Sequence, residues 1–253
     1  MFKQFNSWKR KTLLARHARR NGSWYIYFGE RIFLWPEASR AIHYLLYMGR
    51  YEKPEASLIR KYVNPGMNVI ELGGSLGIVS QFTRKHIGPD ATQVIVEADP
   101  ELARICRETQ EKSVPNPNTQ VVPAAIAYGS PTITFAHGKG NVHVGRLAGP
   151  ADGPVGENKI EVPTCTLAKL REMLPDDSAA ALICDVEGAE LDIIRNEPAE
   201  VAKFAIWLVE FHPHIFAEKG SSEAEFFDLC DRAGLEVLEI MDSVAALRPK
   251  NPA

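Results

Sequence analysis

The stretch MNVIELGGSLGIVSQFTRKHI, residues 67–87, changes character twice. A short apolar run containing one glutamate ends in a glycine-rich turn, and an amphipathic helical pattern follows. The same order continues with strands predicted at 92–99 and 119–127 and a helix at 100–112 between them, opened by Asp99 and Pro100. Apolar strands that alternate with helices predict a doubly wound parallel sheet with both faces covered.

The downstream half continues this rhythm. A strand and a helix are predicted at 160–174 and again at 180–196, then a strand at 205–216 and a helix at 221–234 capped by Ser221 or Ser222. The last two segments, 235–242 and 244–249, are typical of an antiparallel strand pair. The glycine-rich interruption at 129–159 predicts a β-hairpin with a long loop.

The first 66 residues lie outside the regular alternation. Residues 23–35 have the pattern of one or two short strands, a helix opened by Pro36 follows, and a second helix covers 53–63. The first twenty residues carry seven Lys or Arg and no acid. This composition favours a solvated, partly disordered leader, and a helix that contacts an acidic membrane surface is the alternative.

The overall composition is that of an ordinary globular protein. The 253 residues are 45% apolar and 24% charged, and the net charge of −3 gives no whole-protein case for nucleic-acid binding. No apolar run reaches the roughly 18 residues that a membrane span needs. The cysteines lack metal-ligand spacing and indicate reduced thiols in a cytosolic protein; they are Cys106, Cys165, Cys184 and Cys230. We therefore expect a cytoplasmic protein, with the basic N-terminus as the part suited to the inner membrane surface.

The turn GGSLG, residues 73–77, has two chemically different interpretations. In the first, its backbone N–H groups and the following helix dipole approach a ligand. Glu97 ends the next strand, where an acid commonly accepts hydrogen bonds from the hydroxyls of an adenosine ribose. The turn lacks the GxGxxG fingerprint of dinucleotide sites, and Glu71 ahead of it fits a cationic ligand. S-adenosylmethionine, with an ammonium and a sulfonium, is such a ligand.

In the second interpretation the same residues form the GxSxG turn of a serine hydrolase. The chain order Ser75, Asp185, His212 matches that of a hydrolase triad. Against this, no oxyanion segment of the HGGG type precedes the turn, and Glu71 and Glu97 are left without a role. The hydrolase stays the alternative.

A second group of polar residues follows the predicted strands at 180–196 and 205–216. Because residues i and i+2 of a strand share a face, Asp185 should lie beside Glu187, and Glu210 beside His212. We predict that these side chains converge and can accept a proton from a bound hydroxyl group. His212 is the first candidate for the general base, Asp185 the second, and Glu187 a further catalytic candidate.

Other polar residues nearby have simpler interpretations. Glu190 is expected only to complement the dipole of the helix that it begins, and His214 to be a solvated loop residue. A divalent metal at Asp185, Glu187 and His212 is chemically conceivable, because mixed oxygen and nitrogen sites bind Mg²⁺ or Mn²⁺. The sequence does not predict one.

Several segments together resemble the FkbM-type family of S-adenosylmethionine-dependent methyltransferases over roughly residues 50–242. The resemblance is carried by YEKPEASLIRKYVNPGMNVIELGGSLG, VEADPELARICR, AAIA, ICDVEGAELDIIR and LVEFHPHIF. It implies a Rossmann-like class I methyltransferase fold, with a mostly parallel, doubly wound seven-stranded sheet, a terminal antiparallel strand and three α/β/α layers. We predict three parts of the chain: a basic leader (1–23), a strand and helix extension (24–66) and the methyltransferase domain (67–253).

The resemblance also implies roles for individual positions. Glu71 and the backbone of Gly73, Gly74, Ser75 and Gly77 would hold the methionine part of the cofactor, and Glu97 the ribose. Ala98, Asp99 and Ala125 would lie beside the adenosine, and Asp185 near the reacting methyl. The expected acceptor is a hydroxyl of a small metabolite, sugar or glycan, chosen by the N-terminal residues and the 136–158 loop. No nucleic-acid partner is expected.

Overall fold

The computed structural model of the protein describes residues 2–137, 145–147, 159–175 and 179–250. Its strands are β1 (Trp24–Tyr27), β2 (Glu30–Phe33), β3 (Asn68–Leu72), β4 (Gln93–Glu97), β5 (Thr119–Pro123), β6 (Ala125–Ile126), β7 (Thr132–His137), β8 (Gly145–Leu147), β9 (Lys159–Cys165), β10 (Ala180–Cys184), β11 (Ile206–Glu210), β12 (Leu235–Met241) and β13 (Val244–Pro249). Its helices are α1 (Phe2–Asn21), α2 (Arg40–Tyr47), α3 (Lys53–Tyr62), α4 (Ile78–Ile87), α5 (Pro100–Ser113), α6 (Leu167–Arg171), α7 (Glu190–Asn196), α8 (Pro198–Val201), α9 (Pro213–Glu218) and α10 (Glu223–Arg232).

A seven-stranded sheet in the order β12-β13-β11-β10-β3-β4-β5 forms the centre of the molecule. From β11 to β5 every neighbouring pair is parallel. β13 is antiparallel to both β11 and β12. The predicted mostly parallel sheet with an antiparallel strand near the C-terminus is confirmed.

Helices cover both faces of this sheet. Side chains of a strand alternate between the faces, so that Val69 packs in one hydrophobic core and Ile70 in the other. The first core includes buried residues of α3, α4 and α5, and the second those of α6, α7 and α10. The three-layer α/β/α arrangement is therefore confirmed.

The N-terminal extension is attached to the start of α4. β1 and β2 form a hairpin whose turn residues, Phe28 and Gly29, have φ values of 49° and 89°, as a two-residue turn requires. The buried Gln81 side chain accepts the Phe33 N–H at 2.7 Å and donates to the Phe33 carbonyl at 2.8 Å. This amide replaces a strand partner for β2, and it holds the hairpin next to the glycine-rich turn.

Two expectations for the N-terminal region differ from the structure. The helix predicted to open at Pro36 begins at Arg40, because the Ser39 hydroxyl accepts the Ile42 N–H and caps it there. The leader forms helix α1, which packs on α2: the Arg10 guanidinium lies 4.5 Å from the centre of the Tyr44 ring. Contacts of this kind stabilise a helix whose isolated sequence is not expected to persist.

The predicted hairpin after residue 129 is present as β7 and β8, which belong to a second sheet in the order β6-β9-β7-β8. The single strand predicted over 119–127 is divided. β5 stays in the central sheet, whereas β6 leaves it and pairs in parallel with β9. Most of the predicted 136–158 loop lies outside the described residues.

The strand predicted over 205–216 is wrong in its second half. β11 ends at Glu210, and α9 begins at Pro213 with His212 as its N-terminal cap position. Proline suits the first turn of a helix because it lacks the N–H that would have no partner there. His212 therefore lies in a strand-to-helix turn.

Candidate active site

A cavity of about 340 Å³ lies where β3, β4 and β10 end, the edge at which parallel sheets commonly bind ligands. The sequence-predicted residues that line it are Glu71, Gly73, Gly74, Ser75, Glu97, Ala98, Ala125, Asp185 and Glu187. The predicted residues Gly77, Asp99 and His212 lie behind this lining. Residues from three separate strands are thus brought together, as expected from the sequence.

The glycine-rich turn is held close to two neighbouring segments. Gly73 has a φ of 96°, and a Cβ atom there would lie 1.8 Å from the Asp185 carbonyl oxygen. A Cβ at Gly74 would lie 2.4 Å from the Ile95 side chain, and the N–H groups of both glycines donate to the Val96 carbonyl. A side chain at position 73 would displace backbone, so this tight turn requires glycine.

Glu97 connects the turn to the start of α5. Its Oε2 accepts the Ser75 N–H at 2.7 Å, and its Oε1 accepts the Asp99 N–H at 2.8 Å. Burial raises the pKa of Glu97 to about 7, although these hydrogen bonds act in the opposite direction. The Asp99 carboxylate caps α5 by accepting the Glu101 and Leu102 N–H groups. Glu97 lines the cavity, whereas Asp99 does not.

Glu71 is buried in β3. Its Oε1 accepts the Ser80 hydroxyl at 2.6 Å, and its Oε2 accepts the Gln93 amide at 3.1 Å. Burial raises the pKa of Glu71 to about 7, against the effect of these two hydrogen bonds. Both carboxylate oxygens therefore already have a partner within the protein.

His212 lies among three carboxylates. Its Nδ1 is 2.8 Å from Glu190 Oε1, and its Nε2 is 3.7 Å from Asp185 Oδ1 and 3.5 Å from Glu187 Oε2. Burial alone would lower the pKa of His212, but the hydrogen bond to Glu190 and the surrounding negative charges raise it to about 9. Burial and the neighbouring Glu210 raise the pKa of Asp185 well above its ordinary value. The cluster can hold and move a proton.

Asp185, Glu187 and His212 lie close together as predicted, but three details of that prediction are wrong. Glu210 ends β11 and accepts the Ser243 hydroxyl, and it does not share a strand face with His212, which lies in the turn beyond. Glu187 does not share a strand face with Asp185: β10 ends at Cys184, and Glu187 has a φ of 49° in the turn that follows. Glu190 does more than complement a helix dipole, because it is 0% exposed and bonds His212. Glu190 and His212 are 22 residues apart, so the residues around the start of α7 could not by themselves predict this contact.

Three polar residues of the cavity lining were not predicted from the sequence: Tyr51, Glu52 and Glu55, which lie just before and within α3. One signal was available. Glu55 falls on the helix face that carries the buried Leu58 and Ile59, where an acid is unexpected.

The contacts of Ser75 and His212 do not match a hydrolase triad. In a triad the acid orients the Nδ1 side of the histidine, whereas here Nδ1 is bonded to Glu190 and Asp185 faces Nε2. The Ser75 side chain hydrogen-bonds Tyr51. The hydrolase interpretation therefore has no geometric support among the described contacts.

The donor set suits S-adenosylmethionine. The buried Glu55 and the half-buried Asp185 present carboxylates to the cavity, and Asp185 Oδ1 has no hydrogen-bond partner among the described residues. Carboxylates in such positions favour a positively charged ligand. A ligand with an ammonium and a sulfonium meets this requirement.

The side chains close enough to share a divalent metal differ from the set considered from the sequence, because Glu190 takes the place of Glu187. One atom each of Asp185, Glu190 and His212 lies within 4.8 Å of the other two. Two of the three, Glu190 and His212, are already hydrogen-bonded to each other. A metal remains an unpredicted alternative.

Comparison with solved structures returns distant likenesses. One is to fibrillarin from Aeropyrum pernix with natively bound S-adenosyl-L-methionine, at 15% identity and a TM-score of 0.45, over 76% of this chain and 71% of that one. Another is to a SAM dependent methyltransferase from Aquifex aeolicus, at 13% identity and a TM-score of 0.42, over 76% and 87%. Comparison with curated proteins gives no significant match.

A family model for the methyltransferase FkbM domain matches residues 66–243, which is well over half of the chain. The match covers β3 to β12 and with them the glycine-rich turn, Glu97, Asp185 and His212. The protein therefore belongs to the FkbM family of methyltransferases, whose methyl donor is S-adenosylmethionine.

Proposed function

We propose that the protein transfers a methyl group from S-adenosylmethionine to a hydroxyl oxygen of a small metabolite, a sugar or a glycan. The orientation of His212 carries this proposal: Glu190 holds its Nδ1, and its Nε2 faces the carboxylates of Asp185 and Glu187 in the cavity lining. A hydroxyl acceptor must lose its proton, and a positioned base accelerates that loss.

The cofactor would lie along the edge formed by β3 and β4. When bound, it supplies a methyl group on a positively charged sulfur. Glu97 would accept the ribose hydroxyls, and Ala98, Asp99 and Ala125 would surround the adenine, with Asp99 acting through the α5 cap. Glu71 and the turn Gly73, Gly74, Ser75 and Gly77 would hold the methionine part. Because the Glu71 oxygens and the N–H groups of these four turn residues already have partners within the protein, Glu71 would act through its charge and the turn through close backbone approach, with Gly77 ending the turn at the α4 start.

Asp185 and His212 would handle the acceptor proton. Asp185 lines the cavity and would contact the acceptor hydroxyl, orienting its oxygen toward the methyl. As the methyl–sulfur bond breaks, leaving a neutral thioether, and the new O–C bond forms, the proton would pass from that oxygen to Asp185 and from Asp185 to Nε2 of His212. Nδ1–H would stay bonded to Glu190, and Glu187 would stabilise the resulting imidazolium.

The charge of the lining restricts the acceptor. Among the described residues, no lysine or arginine lines the cavity, whereas Glu52, Glu55 and Glu187 do. With no positive charge in the described lining, a phosphate or carboxylate on the acceptor would lose its hydration without gaining an ion pair. The acceptor is therefore a neutral or amine-bearing hydroxyl compound.

This proposal predicts the position of a labelled methyl group. With methyl-labelled S-adenosylmethionine and separate pools of neutral sugars, amino sugars and sugar phosphates, we expect label in the first two pools as an ether that resists mild base. Asp185→Asn serves as the blank. Label that is released by base, or that is bound to nitrogen, would contradict transfer to a hydroxyl.

We also propose contact of the N-terminus with the anionic inner surface of the membrane, which would suit a lipid-linked acceptor. Seven of the 29 Lys and Arg, but none of the 32 Asp and Glu, fall in the first twenty residues. Leu13 of α1 and Leu45 and Met48 at the end of α2 are about two-fifths exposed, and Leu45 also lines the cavity. Among the described helices, none is long and apolar enough to cross a bilayer.

Vesicle sedimentation tests this contact. Replacing Arg16, Arg19 and Arg20 with alanine should weaken binding to phosphatidylserine vesicles roughly 100-fold, since each cation near such a surface contributes about 1 kcal/mol. Alanine at Arg60, Lys203 and Arg232, which are exposed elsewhere, is the control and should change little. Equal binding to neutral vesicles, or preferential binding of RNA, would refute membrane contact.

A further inference from the structure

Glu55 is a buried acid that has no partner among the described residues. It lies in the first turn of α3, is only 6% exposed, and lines the cavity. Among the contacts of the described residues, no hydrogen bond or ion pair reaches its carboxylate. Burial, followed by the charges of Asp185, Glu52 and Glu71, raises its pKa well above the ordinary value. A carboxylate in this position is unfavourable until a cation joins it.

The other deeply buried carboxylates of the site already have partners. Glu71 holds Ser80 and Gln93 with its two oxygens. Glu97 holds the N–H groups of Ser75 and Asp99. Glu190 is bonded to His212. Of these four acids, Glu55 is the one with no hydrogen bond to either carboxylate oxygen among the described residues.

We propose that Glu55 is the counter-charge for the α-ammonium of S-adenosylmethionine, an assignment that rests on the proposed position of the methionine part beside the glycine-rich turn. An ammonium donates three hydrogen bonds and so matches a carboxylate with two free oxygens. A sulfonium carries no N–H group and therefore cannot donate a hydrogen bond to this carboxylate. Glu55 and the turn line the same cavity, next to the end of β3.

Calorimetry of Glu55→Gln with three ligands tests this assignment. S-adenosylmethionine and S-adenosylhomocysteine both carry the ammonium, and both should bind roughly 10- to 100-fold more weakly, the usual effect of losing a charged hydrogen bond. 5′-Methylthioadenosine lacks the amino-acid part, and its affinity should not change. Glu223→Gln, at an exposed position in α10, is the matched control and should bind all three like the wild type.

Each other outcome has a distinct meaning. Weakening of S-adenosylmethionine alone would place Glu55 at the sulfonium, and an effect only on the acceptor KM would place it at the acceptor; either result overturns the proposal. If the wild type binds neither S-adenosylmethionine nor S-adenosylhomocysteine, the proposed function itself is overturned. Thermal unfolding separates these results from misfolding, because removing an unpaired buried charge should leave Tm equal or higher.

Discussion

Replacing His212 with asparagine should lower the rate of methyl transfer about 100- to 10,000-fold, the range that a general base contributes. The affinity for S-adenosylmethionine should change little, because His212 lies behind the cavity lining. Asparagine is the suitable replacement, since its amide can still donate a hydrogen bond toward Glu190 but cannot accept the acceptor proton at neutral pH. Single-turnover kinetics and calorimetry separate the two effects.

His214→Asn is the matched control. This histidine is two residues away in the same α9 turn, with its ring centre 6.1 Å from that of His212, and it is exposed. Its replacement should leave turnover within a few-fold of the wild type. If both variants, or neither, lose activity, His212 is not the base.

The pH profile gives a second readout for the same residue. A base must be deprotonated to act, and the pKa of His212 is raised to about 9 in the ligand-free protein. We therefore expect kcat/KM to rise with pH from 7 toward 9, and Glu187→Gln to move this rise to lower pH because one negative charge near Nε2 is removed. In the cofactor complex, the added positive charge should lower the pKa, so kcat should level off at a lower pH. A flat wild-type profile would contradict this role.

Glu97→Ala should weaken the binding of S-adenosylmethionine at least about 100-fold, since hydrogen bonds to a charged group contribute roughly 1.5–3 kcal/mol each. The variant would lose the carboxylate proposed for the ribose hydroxyls. It would also leave the Ser75 and Asp99 N–H groups without their acceptor, so that the glycine-rich turn and the α5 start would no longer be joined. Equilibrium binding of the cofactor measures the loss.

Glu101→Ala is its control. Glu101 is on the outside of α5 and pairs with Arg104 through exposed side chains, a type of ion pair that contributes about 0–1 kcal/mol. The Glu101→Ala variant should bind the cofactor like the wild type. Binding by Glu97→Ala within a few-fold of the wild type would show that the ribose lies elsewhere.

The sheet was predictable because its strands leave a clear local signal. β3, β4 and β10 are buried on both faces, and their sequences are therefore mostly apolar and bounded by turn residues. Glu97 at the end of β4 and Asp185 directly after β10 also predicted where the site would lie. In parallel strands such residues must meet at one edge of the sheet.

What the sequence did not reveal depends on contacts between distant segments. The β11 pattern continues through Phe211 into the apolar Ile215 and Phe216, which resembles a longer strand; Pro213 was the signal that a helix starts there. The contact of Glu190 with His212 and the position of Glu55 in the cavity lining were not predicted for a different reason. Each lies in the first turn of a helix, where an acid is ordinary, and only tertiary packing turns it toward His212 or the cavity.

Titration calorimetry of the wild-type protein with S-adenosylmethionine tests most directly whether the ends of β3 and β4 form the cofactor site. We expect saturable one-to-one binding that survives His212→Asn and is lost in Glu97→Ala. Absence of binding by the folded wild type, or unchanged binding by Glu97→Ala, would contradict the account.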